Sequence, residues 1–195
     1  MEEKIRCDWC VGDPLYEAYH DLEWGVPLKE DDAIFEFLTL ETFQAGLSWI
    51  TVLRKRENFR KAFDNFDYRK ISEYSEEKIE ALMEDSGIIR NRLKILAAVS
   101  NSLAFMQIQQ EFESFSNYIW GFVDQEPVQN RWGNLGEVPA TTATSDALSK
   151  DLKKRGFKFV GSTVIYAHMQ ATGMVNDHIT GCFRHQEVKN LNKSK

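Results

Sequence analysis

The chain has 195 residues, 43% hydrophobic and 12% aromatic, enough for a helical domain with a substantial core. No stretch approaches the roughly 20 apolar residues of a membrane helix, and the charged start MEEKIRCDWC has no apolar signal-peptide run, so a cytoplasmic protein with no membrane partner is expected. The net charge of -6 argues against diffuse attraction to nucleic acid yet leaves room for a local basic surface, and the three cysteines, Cys7, Cys10 and Cys182, form a poor disulfide framework and a better pool of thiolate ligands.

In chain order, the apolar spacing predicts helices almost throughout. Residues 31–40 place Ile34, Phe37 and Leu38 on one face behind acidic Asp31. Residues 48–63 form the next, with Trp49, Val52, Leu53, Phe59 and Phe63 facing inward. Ser75 caps a third, carrying Lys78, Ile79, Leu82 and Met83. Residues 90–110 carry Leu93, Leu96, Ala97, Ser100, Leu103 and Ala104 at helical spacing, and residues 112–123 form a short aromatic helix. Ser145 caps a helix to Arg155 that Gly156 ends, and residues 162–172 form the last, stopped by Gly173. Only FKFV, residues 157–160, hints at extended chain; residues 125–144 read as irregular and residues 188–195 as a disordered tail.

The stretch NDHITGC sets His178 and Cys182 four residues apart, able to grip one ion from one side. Cys7 and His20 at the other end complete a Cys2His2 set, which satisfies tetrahedral zinc and leaves no open position. The alternative draws both N-terminal thiolates from Cys7 and Cys10, a C-x2-C pair that could also be a redox couple. His168 and His185 read as ordinary core or surface residues.

Tyr16, Tyr19 and Trp24 in DPLYEAYHDLEWG, with Glu41 and Trp49 in LETFQAGLSW, describe a pocket for a flat, nitrogen-rich, cationic ligand. The competing reading fills the core with the rings and pairs Glu41 with an arginine. In MEDSGIIRNRLKI a helix ends near Ser86, Gly87 allows a positive-φ turn, and a new helix begins near Arg90. The free amides at that start suit a phosphate, and Arg90, Arg92 and Lys94 add charge. Lys150, Lys153, Lys154, Arg155 and Lys158 form a second basic cluster, either a solvated face or another phosphate contact.

Taken together, CDW, DPLYEAYHDLEWGVP, ETFQAGLSWITVLRKRENF, GIIRNRLKI, SDALSKDLKKRGFKFVG and VNDHITGC resemble the DNA-3-methyladenine glycosylase I family over about residues 5–183. The resemblance implies an all-α, two-lobed helix–hairpin–helix glycosylase fold, with residues 1–187 as one domain around a cleft. It implies a structural zinc on Cys7, His20, His178 and Cys182, joining the two ends of the chain, with Cys10 outside the set. It further implies a base pocket of Trp9, Tyr16, Tyr19, Glu41 and Trp49 with Trp24 nearby, Glu41 binding the exocyclic amine edge and aiding catalysis electrostatically. DNA contacts fall to Gly87, Ile88, Arg90, Arg92, Lys94, Lys154 and Arg155. The expected activity is excision of 3-methyladenine from double-stranded alkylated DNA by base flipping, with the free base as product and the protein a monomer. No lysine is placed as a Schiff-base nucleophile, so strand cleavage is not expected. The rival classes are a zinc-stapled DNA-binding module without catalysis and a hydrolase with a catalytic zinc.

Overall fold

The computed structural model describes residues 4–191. It is helical, with the first helix, α1 (Pro14–Leu22), started by Asp13, whose carboxylate accepts from the Leu15 and Tyr16 amides while Pro14 takes the position where its missing N–H does no harm. Helix α2 (Asp31–Gln44) runs one turn beyond its predicted end, and nearly every residue from Ile34 to Phe43 is buried. It is the central rod of the core.

The predicted helix over residues 48–63 is two, α3 (Trp49–Leu53) and α4 (Arg56–Ala62). The Lys55 amide bonds Val52 O, a tightened turn that shifts the axis, and Lys55 Nζ reaches Ser86 O at 3.0 Å and Gly87 O at 3.2 Å. Trp49, Val52, Leu53, Phe59 and Phe63 are all buried as expected. A short α5 (Tyr68–Ile71), unforeseen, precedes α6 (Glu76–Glu84), which Ser75 caps through the Lys78 amide.

Helix α7 (Arg92–Phe112) corrects the expected inner face. Leu93, Leu96 and Leu103 are exposed, whereas Ile95, Ala98, Phe105 and Ile108 are buried. The helix is apolar on more than one side, and packing against α2, α5 and α6 selects the stripe that periodicity alone leaves undecided.

The aromatic segment gives α8 (Phe115–Trp120), whose first amides, Phe115 N and Ser116 N, are received by the Asp31 carboxylate. Helix α9 (Ala143–Lys154) is capped by Thr142, not Ser145; the two form a reciprocal capping box, with Ser145 at the third position. Helix α10 (Ser162–Ala171) packs on α9 and α2. Gly173 follows at φ +69°, and a Cβ there would sit 2.4 Å from Val26 C, so two chain segments cross where only glycine fits.

Extended chain occurs away from FKFV. Two short strands, β1 (Val128–Gln129) and β2 (Val175–Asn176), pair in parallel and fasten the predicted irregular connection to the segment holding His178. Helix α11 (Phe183–Leu191) overturns the tail prediction up to Leu191: Val188 is fully buried. Residues 192–195 of that predicted tail lie outside the described residues. Among the described residues no helix is long and apolar enough to cross a membrane.

Candidate active site and metal centre

A cavity of about 190 Å³ opens between α1, the C-terminal half of α2, α3 and α10. All six sequence-predicted pocket residues, Trp9, Tyr16, Tyr19, Trp24, Glu41 and Trp49, line it. Helical spacing explains the α1 contribution, since positions 16, 19 and 20 share one face. Trp9 packs edge-on against Tyr16 at 4.7 Å and Trp24 at 5.1 Å between ring centroids, and Tyr19 lies 5.5 Å from Trp49. The phenol hydroxyls of Tyr16 and Tyr19 have no partner among the described residues, so both remain available to a ligand.

Glu41 is 3% exposed and its carboxyl has no hydrogen-bond or ion-pair partner among the described residues. The alternative reading, an arginine partner, is therefore set aside. Burial alone pushes its pKa up to about 8, which favours the protonated carboxyl at neutral pH. Its proximity also raises the phenol pKa values of Tyr16 and Tyr19, behind the larger effect of their burial.

Behind the cavity, Cys7, His20, His178 and Cys182 are buried together, their ligand atoms all within 4.8 Å of one another. Cys182 Sγ lies 3.4 Å from His20 Nε2 and 3.6 Å from His178 Nδ1; the two ring nitrogens are 3.2 Å apart, and Cys7 Sγ is 3.8 Å from His178 Nδ1. The opposite edge of each imidazole is held. His178 Nε2 donates to Trp24 O at 3.1 Å, and His20 Nδ1 to Asp21 Oδ1 at 2.8 Å, which leaves the inward nitrogens as lone-pair donors for a cation. The buried thiols of Cys7 and Cys182 share this space, and their hydrogen bond pushes Cys7 up and Cys182 down. Cys10 stands outside. Its thiol donates to Cys7 O, and burial raises its pKa to about 12, so the C-x2-C alternative falls.

The hairpin connects α6 to α7, with Asn91 capping α7 through the Lys94 amide. Gly87 is not in the positive-φ region; its requirement is space, since a Cβ would lie 2.9 Å from Asp85 Oδ1, which accepts from the Gly87 amide. Arg90 is exposed and without an ion-pair partner among the described residues, and Ile88 is a buried anchor.

The family-model comparison matches methyladenine glycosylase over residues 9–185. The chain belongs to this family. It is 53% identical to DNA-3-methyladenine glycosylase 1 of Escherichia coli (strain K12), covering 91% of this chain and 95% of that one, and 48% identical to the DNA-3-methyladenine glycosylase of Haemophilus influenzae, covering 91% and 96%. A crystal structure of 3-methyladenine DNA glycosylase I superposes with a TM-score of 0.90 at 54% identity, covering 92% of this chain and 98% of that one. The Staphylococcus aureus methyladenine glycosylase, solved for its recognition of 3-methyladenine, superposes at 0.89 with 34% identity over 91% of this chain and 95% of its own.

Against this family background, four expected DNA contacts are placed otherwise. Lys94 is buried, and its Nζ donates to Phe43 O at 2.9 Å and Ala45 O at 2.8 Å, capping the C-terminus of α2 where the helix dipole is negative. Arg92 is held by Glu76 and Glu80. Arg155 is held by Glu111 and Asp151 and stacks over Phe112, the last residue of α7, so it and neighbouring Lys154 lie about 30 Å along that helix from the hairpin. Sequence reasoning also missed cavity residues. Gln44, Gln170 and Asp177 line the space, and Asp177, 2% exposed, accepts from Asn130, Trp132, Tyr166 and Gln170. The residue before His178 in NDHITGC was the available signal: an aspartate next to a candidate metal-ligating histidine, if buried with it, needs several donors.

Proposed function

We propose that the protein excises 3-methyladenine from alkylated double-stranded DNA as a monomeric cytoplasmic glycosylase, by extruding the nucleotide into the aromatic cavity. The observation that carries this reading is the buried, partnerless carboxyl of Glu41 among the rings of Tyr16, Tyr19 and Trp49. Such a group is destabilising unless a ligand meets it. A purine methylated at N3 in DNA is cationic; its ring binds the π-faces, and its charge lowers the Glu41 pKa so that the carboxyl releases its proton to solvent and meets the ring as an anion. The same charge makes the base a good leaving group, so the residues orient and hold it while water attacks C1′. As the glycosidic bond breaks, its electron pair passes to the base, which leaves neutral, and positive charge moves to the sugar that water attacks; ionised Glu41 holds the base and stabilises that charge electrostatically, and the released product is the free base. Among the described residues no lysine lines the cavity, which supports hydrolysis without strand cleavage.

The ion of the Cys7, His20, His178 and Cys182 cluster is proposed to be zinc. Zinc bonds of about 2.3 Å to sulfur and about 2.0 Å to nitrogen give tetrahedral edges of about 3.3–3.8 Å. Four of the six separations, at 3.2–3.8 Å, fit them, and all six lie within 4.8 Å. Four protein ligands close the coordination shell, so the role is structural and the catalytic-zinc class is disfavoured. On the DNA side, Gly87, Ile88 and Arg90 with the first-turn amides of α7 are proposed to hold a phosphate.

The test is release of free methylated purines from methylated duplex DNA. Wild type is expected to release 3-methyladenine without nicking the strand, and Glu41→Gln to do so about 100-fold more slowly with unchanged metal content. DNA binding with no base release from wild type favours the non-catalytic module.

A further inference from the structure

Gln170 lines the cavity from α10, and its Nε2 donates to Asp177 Oδ2 at 2.8 Å. Asp177 has three further donors: Asn130 Nδ2 at 2.6 Å and Trp132 Nε1 at 2.8 Å on Oδ1, and Tyr166 OH at 2.6 Å on Oδ2. An indole N–H only donates, so Asp177 is engaged as an acceptor and offers nothing to the oxygen of a reversed amide. The Gln170 amide is therefore fixed in one sense, nitrogen toward Asp177 and Oε1 away from it. That oxygen has no partner among the described residues.

We propose that Gln170, clamped by Asp177, restricts the site to purines with an amino group at position 6. This rests on the reading of the cavity as a methylated-purine site. An exocyclic amine carries two hydrogens; Glu41 accepts one and Gln170 Oε1 the other. A 6-oxo purine turns a carbonyl oxygen toward Oε1, and two acceptors then face each other without a proton between them. Glu41 alone does not discriminate in this way. With a pKa raised to about 8 the Glu41 carboxyl is adaptable: it can give up its proton and accept from the amine of a cationic ring, or keep the proton and donate to a 6-oxo group. Gln170 lacks that freedom because its donor side is committed. Asp177 is accordingly a positioning residue, one that also ties the loop carrying Asn130 and Trp132 to the cavity wall.

The experiment measures single-turnover release of 3-methyladenine and 3-methylguanine from one methylated duplex, with both bases quantified together. Gln170→Met keeps the length and removes the acceptor. The ratio of 3-methyladenine to 3-methylguanine rates is expected to fall about tenfold, while the loss of one of the four donors to Asp177 lowers the melting temperature by only a few degrees and leaves the chain folded. Asp177→Asn supplies an N–H that lets the Gln170 amide turn round, and is expected to lower the same ratio. A ratio equal to wild type in both variants overturns the proposal. So does an equal loss on both bases, which marks a purely structural role. Wild type releasing no methylated purine overturns the underlying reading instead.

Discussion

The joined ends of the chain and the hairpin in its middle both gather polar and charged side chains, and they use them in opposite ways. At the ends, Cys7, His20, His178 and Cys182 converge with their donor atoms turned on one point and their outer edges held by Trp24 O and Asp21. At the hairpin, Arg92 is occupied by Glu76 and Glu80, and Lys94 is buried under α2. Ligand chemistry demands particular atoms at particular separations, so it survives translation from sequence to space. Positive charge has many outlets, and a basic residue near a phosphate-sized turn is as readily taken by the protein's own carboxylates and carbonyls.

The largest effect expected from this contrast comes at the ends. His178→Ala, or removal of the ion by a strong chelator, should lower the melting temperature by about 10 °C or more, because two buried thiols and an imidazole lose their common partner. A calorimetric scan beside a metal assay checks it; a melt that ignores the chelator would place the cluster among ordinary packing.

Glu41 gives the next. Folded, its pKa stands at about 8 against an ordinary 4.5, so the native state holds a proton that the unfolded chain has released. Stability from this group is present below about pH 4.5 and is lost as pH rises through about 8. Glu41→Gln should therefore match wild type near pH 5 and exceed it at pH 9 by a few kcal/mol, read from urea midpoints at the two pH values.

Lys94→Met sharpens the comparison at the hairpin. Leaving Phe43 O and Ala45 O without their donor should destabilise by about 1–3 kcal/mol and slow base release more than it weakens DNA binding. Loss of DNA affinity with unaltered stability would return Lys94 to the phosphate side. The smallest effect is on binding itself. Arg90→Ala should weaken DNA affinity about two- to fivefold at low salt and reduce the salt slope by about one, while Arg155→Ala should leave both unchanged in a fluorescence titration.

The metal cluster was legible because its residues are scarce and chemically committed. The rings of Trp9, Tyr16, Tyr19, Trp24 and Trp49 suited a packed core as well as a pocket, so the resemblance of their motifs to the family, with Glu41 as a carboxylate in an apolar run, is what singled them out. Other features depend on long-range packing that periodicity does not carry. The buried side of α7 is settled by what lies against it, and Leu93, Leu96 and Leu103 scored equally well on spacing. The parallel pairing of Val128–Gln129 with Val175–Asn176 joins segments too short to announce themselves as strands. Asp177 and Gln170 escaped notice because their importance is mutual: neither residue alone signals a clamp.

The Phe183 amide bonds Ile5 O at 3.0 Å, and His20 meets His178 across 158 positions of chain. Half of the Cys7, His20, His178 and Cys182 cluster therefore emerges from the ribosome long before the rest, and an ion held by all four can be captured only once synthesis has passed Cys182. A chain whose translation stalls earlier brings only Cys7 and His20 to the site, half of the proposed ligand set.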